Sequence, residues 1–171
     1  HKVYNNYLQD ITGTGSNAAM VVRMGVYEKP TSETDLKKEP LVSYHRVVDV
    51  DIAYNTFVNC ALIEFGQGGG DKEPRNVRFA NNLISSSDVE SNITVSNPAV
   101  FPGIKCFNNY VSFREGTDFS MEGFTRMPFV FEKPATGASR GIYRLRNEVR
   151  AELAGGFDYI SMDATGSPRT D

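Results

Sequence analysis

Cys106-Phe107-Asn108-Asn109-Tyr110-Val111 repeats a pattern found three more times along the chain, as Phe79-Ala80-Asn81-Asn82-Leu83-Ile84, Ala53-Tyr54-Asn55-Thr56-Phe57-Val58 and Val3-Tyr4-Asn5-Asn6-Tyr7-Leu8. Each copy has an apolar or aromatic pair, an asparagine, then Asn or Thr, then two more apolar residues. Aligned this way, Asn55, Asn81 and Asn108 stand 26 and 27 residues apart, and Asn5 precedes Asn55 by 50, as if one coil carried an insertion. A period in the twenties marks a solenoid. One such unit cannot bury its own apolar face, so units must stack. An asparagine at the same corner of each can then hydrogen-bond to those above and below. The repeat predicts an all-β parallel β-helix with Asn5, Asn55, Asn81 and Asn108 as a structural ladder, because buried stacked amides satisfy one another.

Between the corners lie further β-rich runs, at 19–24, 61–65 and 92–95, so each coil supplies at least two strands. Gly- and Ser-rich stretches at 13–17, 66–71 and 85–88 provide the turns. Residues 27–43 are polar, with two prolines, and are expected to form a loop protruding from one coil; such loops shape binding faces on solenoids. After Ser112 the asparagine corner is lost. Residues 1–112 therefore read as coils and 113–171 as a closing segment packed on the last of them, with a helical turn expected near 147–153. His1 and Lys2 fall where other copies have mid-strand residues, so the sequence reads as an N-terminally truncated β-helix. Its bare coil end would expose unpaired backbone groups and favour self-association.

The 171 residues suffice for one domain with a real core, and the net charge of −3 is made of interspersed charges. That gives no concentrated basic surface of the kind nucleic acid requires, so no nucleic-acid partner is expected. No apolar run approaches the ~18 residues of a membrane helix. Cys60 and Cys106 are far from any partner at metal-ligand spacing and are expected as buried thiols, paired only if stacking brings them together.

The stretches at 1–7 (His-Lys-Val-Tyr-Asn-Asn-Tyr), 52–60 (Ile-Ala-Tyr-Asn-Thr-Phe-Val-Asn-Cys) and 77–84 (Val-Arg-Phe-Ala-Asn-Asn-Leu-Ile) resemble later coils of polysaccharide lyase family 6. This family comprises the alginate lyases and chondroitinase B, which are right-handed parallel β-helices. The likeness is densest over 1–111, and the stretches at 141–145 and 163–169 are similar to the family's last portion. The resemblance implies β-elimination on an anionic uronate polysaccharide. That reaction needs a base for the proton beside the carboxylate and positive charge to make the proton acidic. In the family a lysine and an arginine handle the proton, and calcium held by Asn and Glu binds the carboxylate. Those motifs belong to preceding coils: this chain has no Lys-Ser-x-x-Asn, Arg-His-Gly or Glu-x-Glu strand. No catalytic residue or metal ligand is therefore assigned in it, and calcium is expected only in the intact enzyme. The short 66–76 loop, where the chondroitin-type enzyme has a long basic one, favours alginate as substrate. A periplasmic or extracellular bacterial protein is implied. The competing reading is a non-catalytic β-helix module that binds polysaccharide or serves as a surface scaffold. Hydrolysis is disfavoured because no paired aspartates recur at coil spacing.

The family's catalytic face is the strand before each asparagine corner, here 19–25 and 60–68. Arg23 and Glu64 alternate with apolar neighbours there and are expected to point outward, with Lys72 in the following glycine-rich stretch. Arg23 and Lys72 are candidate contacts for polymer carboxylates, since a guanidinium forks well onto a carboxylate; the alternative is ordinary charge on a solvated strand. His45 and Arg46 re-enter the sheet near this face and are further candidates. The family's arginine position falls at Ser43 here, so Arg46 would substitute for it. Lys2, Arg78 and Lys105 share a repeat position on another face and are expected to form a solvated row.

Overall fold

The computed structural model describes residues 1–12, 18–25, 46–60, 62–68, 70, 72–86, 92–132, 144–145, 152–162 and 166–168. The first coil comprises β1 (Lys2–Tyr4), β2 (Tyr7–Gln9) and β3 (Met20–Arg23); the second comprises β4 (Val48–Ala53), β5 (Thr56–Val58) and β6 (Leu62–Gln67). The third comprises β7 (Arg75–Ala80), β8 (Leu83–Ser86) and β9 (Asn92–Val95), and the fourth β10 (Ile104–Phe107) and β11 (Asn109–Phe113). Corresponding strands stack into three sheets, β1-β4-β7-β10, β2-β5-β8-β11-β12 and β3-β6-β9, in which β12 is Phe124–Arg126. All pairs within them are parallel. A chain that returns to each sheet one strand further along, always in the same direction, is a parallel β-helix. The runs predicted at 19–24, 61–65 and 92–95 are the strands of the third sheet. The 27–43 loop lies outside the described residues. A short antiparallel pair, β13 (Phe131–Glu132) with β14 (Arg144–Leu145), follows the coils.

Alternation selects the core. In β7, Val77 and Phe79 are buried while Asn76 is exposed and Arg78 half-buried. The inward positions of successive coils stack into one cluster containing Ile52, Phe65, Phe79, Ile84 and Val111. Each such side chain contributes about 1.5–3 kcal/mol on burial. Phe65 meets Phe79 edge-on with centroids 5.3 Å apart, tying the third sheet to the first.

The asparagine ladder runs one residue later than the hexapeptide alignment predicts. Asn6 Nδ2 donates to Asn55 Oδ1 at 2.9 Å, Asn55 Nδ2 to Asn82 Oδ1 at 3.0 Å, and Asn82 Nδ2 to Asn109 Oδ1 at 2.9 Å. Of the four predicted members only Asn55 belongs. Asn5, Asn81 and Asn108 precede the ladder and adopt left-handed backbone (φ 55, 55 and 51°), a place taken in the second coil by Tyr54 (φ 56°). The alignment matched Tyr54 to Tyr4, whereas the register pairs Tyr4 with Ala53. Asparagine tolerates the left-handed region better than other residues with a Cβ. The Asn-Asn pair thus divides its labour, the first residue bending the chain and the second hydrogen-bonding along the stack.

The displaced asparagines have another task. Phe113, Phe119 and Phe124 pack under the last coil, but residues 152–162 do not stay there. They form a strap across all four coils. Asn108 Nδ2 donates to the Glu152 carbonyl (2.9 Å), Asn81 exchanges two bonds with Ala154 (3.0 and 2.9 Å), and Asn5 Nδ2 donates to the Met162 carbonyl (2.6 Å). The closing segment therefore reaches back to the first coil rather than packing on the last coils alone. The helical turn expected near 147–153 falls mostly outside the described residues, and Glu152 and Leu153 are not helical.

The strap also changes the basic row. Register places Asp51 between Lys2 and Arg78, with Lys105 beyond. Arg78 forks onto Asp51 (Nε to Oδ1 2.5 Å, Nη2 to Oδ2 2.7 Å), and the Tyr159 hydroxyl donates to Asp51 Oδ2 at 2.6 Å. Lys2 Nζ stands 3.4 Å from the Tyr159 ring centroid, and the Arg78 guanidinium 4.4 Å from that of Phe157. Lys105 is exposed, as expected of a solvated row, whereas Arg78 is half-buried in a charge network with Asp51 that Tyr159 and Phe157 border, and Lys2, itself exposed, lies against Tyr159. The Arg78 guanidinium holds the Asp51 carboxyl below its usual range despite desolvation. Burial, followed by the bond to Asp51, pushes the Tyr159 phenol up.

Candidate functional site

The third sheet carries Arg23 and Glu64, and two glycines bring the segments that hold Arg46 and Lys72 beside it. Gly25 and Lys72 exchange backbone hydrogen bonds of 2.8 and 3.0 Å. A Cβ on Gly25 would stand 2.5 Å from the Arg46 nitrogen, and one on Gly70 would stand 2.3 Å from the Gly25 carbonyl oxygen. Neither position has space for a side chain. Only with glycine at both can the segments around 25, 46 and 70–72 meet, which sets Arg46 and Lys72 beside the end of β3, where Arg23 lies. Arg23 is opposite Gln67 in β6, after a register shift at Val22. Its Nη2 runs beside Gly68, 3.8 Å from where a Cβ would be. Arg23, Arg46 and Lys72 thus share one neighbourhood, while His45 lies outside the described residues.

Two carboxylates belong to the same region. Glu73 Oε1 stands 3.8 Å from both Arg46 Nη1 and Arg75 Nε; the Arg46 side chain is 12% exposed and that of Arg75 63%. Long, partly exposed pairs like these contribute little to stability, so Glu73 orients Arg46 more than it stabilises the fold. Glu64 differs from expectation. It is only 8% exposed, its carboxylate accepting from the Ser96 hydroxyl and, at 2.9 Å, from Gln67 Nε2. Alternation in β6 does turn it away from the core. What the sequence did not reveal is that Gln67, three residues on, and Ser96, one coil away, close over it. The site is therefore a cationic group of two arginines and a lysine bordered by an engaged carboxylate, able to bind an anion by charge-assisted hydrogen bonds.

Nothing in this donor set fits a hard dication. Guanidinium groups flank it, the Glu64 oxygens are engaged, and among the described residues no three His, Cys, Asp or Glu side chains converge. Cys60 and Cys106 are not joined in a disulfide, and Cys60 Sγ lies 3.5 Å from the Leu8 carbonyl. Burial pushes the Cys60 thiol up and the Cys106 thiol up to about 12, which leaves both poor nucleophiles. Among the described residues no helix is long and apolar enough to cross a membrane.

No protein-family model matches the chain, and no curated protein matches it. A solved structure does. It is a mannuronic-acid-specific polysaccharide family 6 lyase from human gut microbiota, similar at 45% identity over 75% of this chain with a TM-score of 0.59. The chain spans 29% of that enzyme's length. Identity at this level together with a shared β-helix fold supports the assignment of this chain to polysaccharide lyase family 6.

Proposed function

We propose that the chain forms the C-terminal coils of a polysaccharide lyase that cleaves an anionic uronate polysaccharide, alginate rich in mannuronate, by β-elimination outside the cytoplasm. The observation that carries this reading is the 45% identity to a mannuronic-acid-specific lyase. In β-elimination a base takes the proton next to the uronate carboxylate and the glycosidic oxygen leaves, so carboxylate neutralisation lowers the barrier. The base, its partner arginine and the calcium ligands are assigned to preceding coils. This chain supplies scaffold and subsites: Arg23 and Arg46 each present a guanidinium, and Lys72 a point charge, to carboxylates of sugars flanking the cleaved bond. The anionic polymer would meet this cationic group at one place on the coil, its carboxylates pairing there with the two guanidiniums and the ammonium.

The test is ultraviolet detection of unsaturated uronate product from the polypeptide that carries this chain together with its preceding coils. Polymannuronate, polyguluronate and dermatan sulfate are compared, each with calcium and with chelator. Calcium-dependent product from polymannuronate is expected. Arg23→Ala is expected to raise KM about tenfold with kcat little changed, because one charge-assisted pair to bound polymer is lost. Binding without product from any polymer would favour a non-catalytic polysaccharide-binding β-helix.

A further inference from the structure

Strand β6 contains a bulge that changes which way one side chain faces. Glu64 points away from the core and Phe65 into it, so strict alternation would turn Gln67 inward. Instead the register skips a residue: Val22 pairs with Phe65, and Arg23 with Gln67. Gly66 is the extra residue. Its backbone is left-handed (φ 84°), and a Cβ there would stand 2.9 Å from both the nitrogen and the carbonyl oxygen of Asn97, so only glycine fits. A bulge reverses the alternation beyond it and re-aims the next side chain. Gln67 thereby joins Glu64 and Arg23 on the outward face, where Gln67 Nε2 donates to Glu64 Oε2 at 2.9 Å.

The partners of Glu64 decide how that amide is presented. Glu64 is buried, and its other oxygen accepts from the Ser96 hydroxyl; the Ser96 backbone N–H is tied to the Phe65 carbonyl at 2.9 Å. A carboxylate only accepts, so the amide edge that faces it is the nitrogen. Gln67 Oε1 is left turned away from Glu64 on a half-buried side chain, and it accepts no hydrogen bond among the described residues. Beside it Arg23 runs its guanidinium along Gly68. One neutral acceptor thus stands among the cationic donors Arg23, Arg46 and Lys72, held by a buried carboxylate.

We infer that Gln67 is a specificity-determining residue of the proposed lyase: its Oε1 accepts a hydrogen bond from a ring hydroxyl of the uronate whose carboxylate Arg23 binds, and Glu64 is the residue that positions it. The inference rests on the proposed function and deepens it. Guanidinium and ammonium groups only donate, and polymannuronate and polyguluronate carry the same charge per sugar, so charge alone does not tell these C5 epimers apart. Inverting C5 changes where the ring hydroxyls lie relative to the carboxylate. An acceptor fixed next to a guanidinium measures that relation, and a hydroxyl that meets it in mannuronate misses it in guluronate.

Binding and product formation are measured on the two polymers with the polypeptide that carries this chain together with its preceding coils. Gln67→Met, which removes the amide at similar length, is expected to lower the ratio of kcat/KM for polymannuronate over polyguluronate about tenfold, through KM. Gln67→Lys still donates to Glu64 but offers no acceptor; its ratio is expected to fall equally while both polymers bind more tightly. Glu64→Gln is expected to lower the ratio as well, because its amide nitrogen turns Gln67 over and presents a donor to the sugar. A ratio unchanged in either Gln67 variant overturns the inference, as does a native protein that binds the two polymers equally. A ratio that falls in the Gln67 variants but survives Glu64→Gln overturns the positioning role of Glu64. A binding preference for polymannuronate that Gln67→Lys abolishes, with no unsaturated uronate product, upholds the inference and sinks the β-elimination reading alone.

Discussion

The two ends of this β-helix are built from the same asparagine motif and finished differently. At the fourth coil, Asn109 is buried and bonded on both sides, to Asn82 and Phe79 above and to Gly123 below, and β12 extends the second sheet under β11. Aromatic rings seal it: Phe79 stacks on Phe124 at 5.8 Å, and Phe113 meets Phe119 edge-on at 5.1 Å. At the first coil the equivalent Asn6 is exposed, and all three sheets end in strands with one side unpaired. A ladder residue is thus not worth a fixed amount. Its contribution depends on how many buried partners its removal would orphan.

The largest expected effect tests that statement directly. Asn109→Leu strands the Asn82 N–H, leaves Asn82 Nδ2 with only its bond to the Ile52 carbonyl, and takes the Asn109 donor from the Phe79 carbonyl, and should cost about 3 kcal/mol. Asn6→Leu in the chain alone leaves Asn55 Oδ1 still bonded to the residue-6 backbone N–H, and should cost about 1 kcal/mol or less. Urea unfolding of the two variants measures the difference. Equal costs would show that ladder position does not matter.

A smaller effect probes the strap, which links the closed end to the open one. Asp51 has a lowered folded pKa because of Arg78, so the stability it contributes is present above the unfolded value of about 3.9 and is lost as pH falls through the lowered folded value. With Asp51 partly exposed, that contribution is about 1 kcal/mol. Acidification should therefore speed amide exchange at residues 2–9 before it does so at 104–113, and Asp51→Asn should abolish that difference in acid sensitivity. Simultaneous loosening at both ends in the native protein would mean that the strap does not hold the first coil through Asp51.

The smallest effect concerns the second coil, whose corner lacks the usual asparagine. Tyr54 holds left-handed backbone at a cost of about 1 kcal/mol, and its ring meets Phe157 edge-on at 5.8 Å. Tyr54→Asn relieves the backbone and loses the ring, whereas Tyr54→Ala only loses. Asparagine should be the better tolerated by about 1 kcal/mol in thermal unfolding. The reverse order would show that backbone conformation does not explain the Asn-Asn pair.

The repeat made the coils and the strands of the third sheet legible, because period and apolar alternation depend on neighbours close in sequence. Which asparagine entered the ladder was not legible: Tyr54 resembles Tyr4 in type, and only strand register distinguishes them. The strap was missed for a related reason. Residues 152–162 have no period, and their partners Asn5, Asp51 and Asn108 lie 157, 108 and 44 residues away from Met162, Tyr159 and Glu152 respectively. At the site, Arg23, Arg46 and Lys72 could be named from residue type and resemblance. Their convergence depends on Gly25 and Gly70, whose role appears only where two backbones touch, and the covering of Glu64 depends on a serine from the next coil.

Amide hydrogen exchange of the chain alone, resolved by residue and read at neutral pH, tests the asymmetry between the two ends most directly. The account predicts that residues 104–113 exchange at rates set by global unfolding and that residues 2–9 exchange much faster, through local opening of a coil stacked on one side only. Equal protection at the two ends would contradict it.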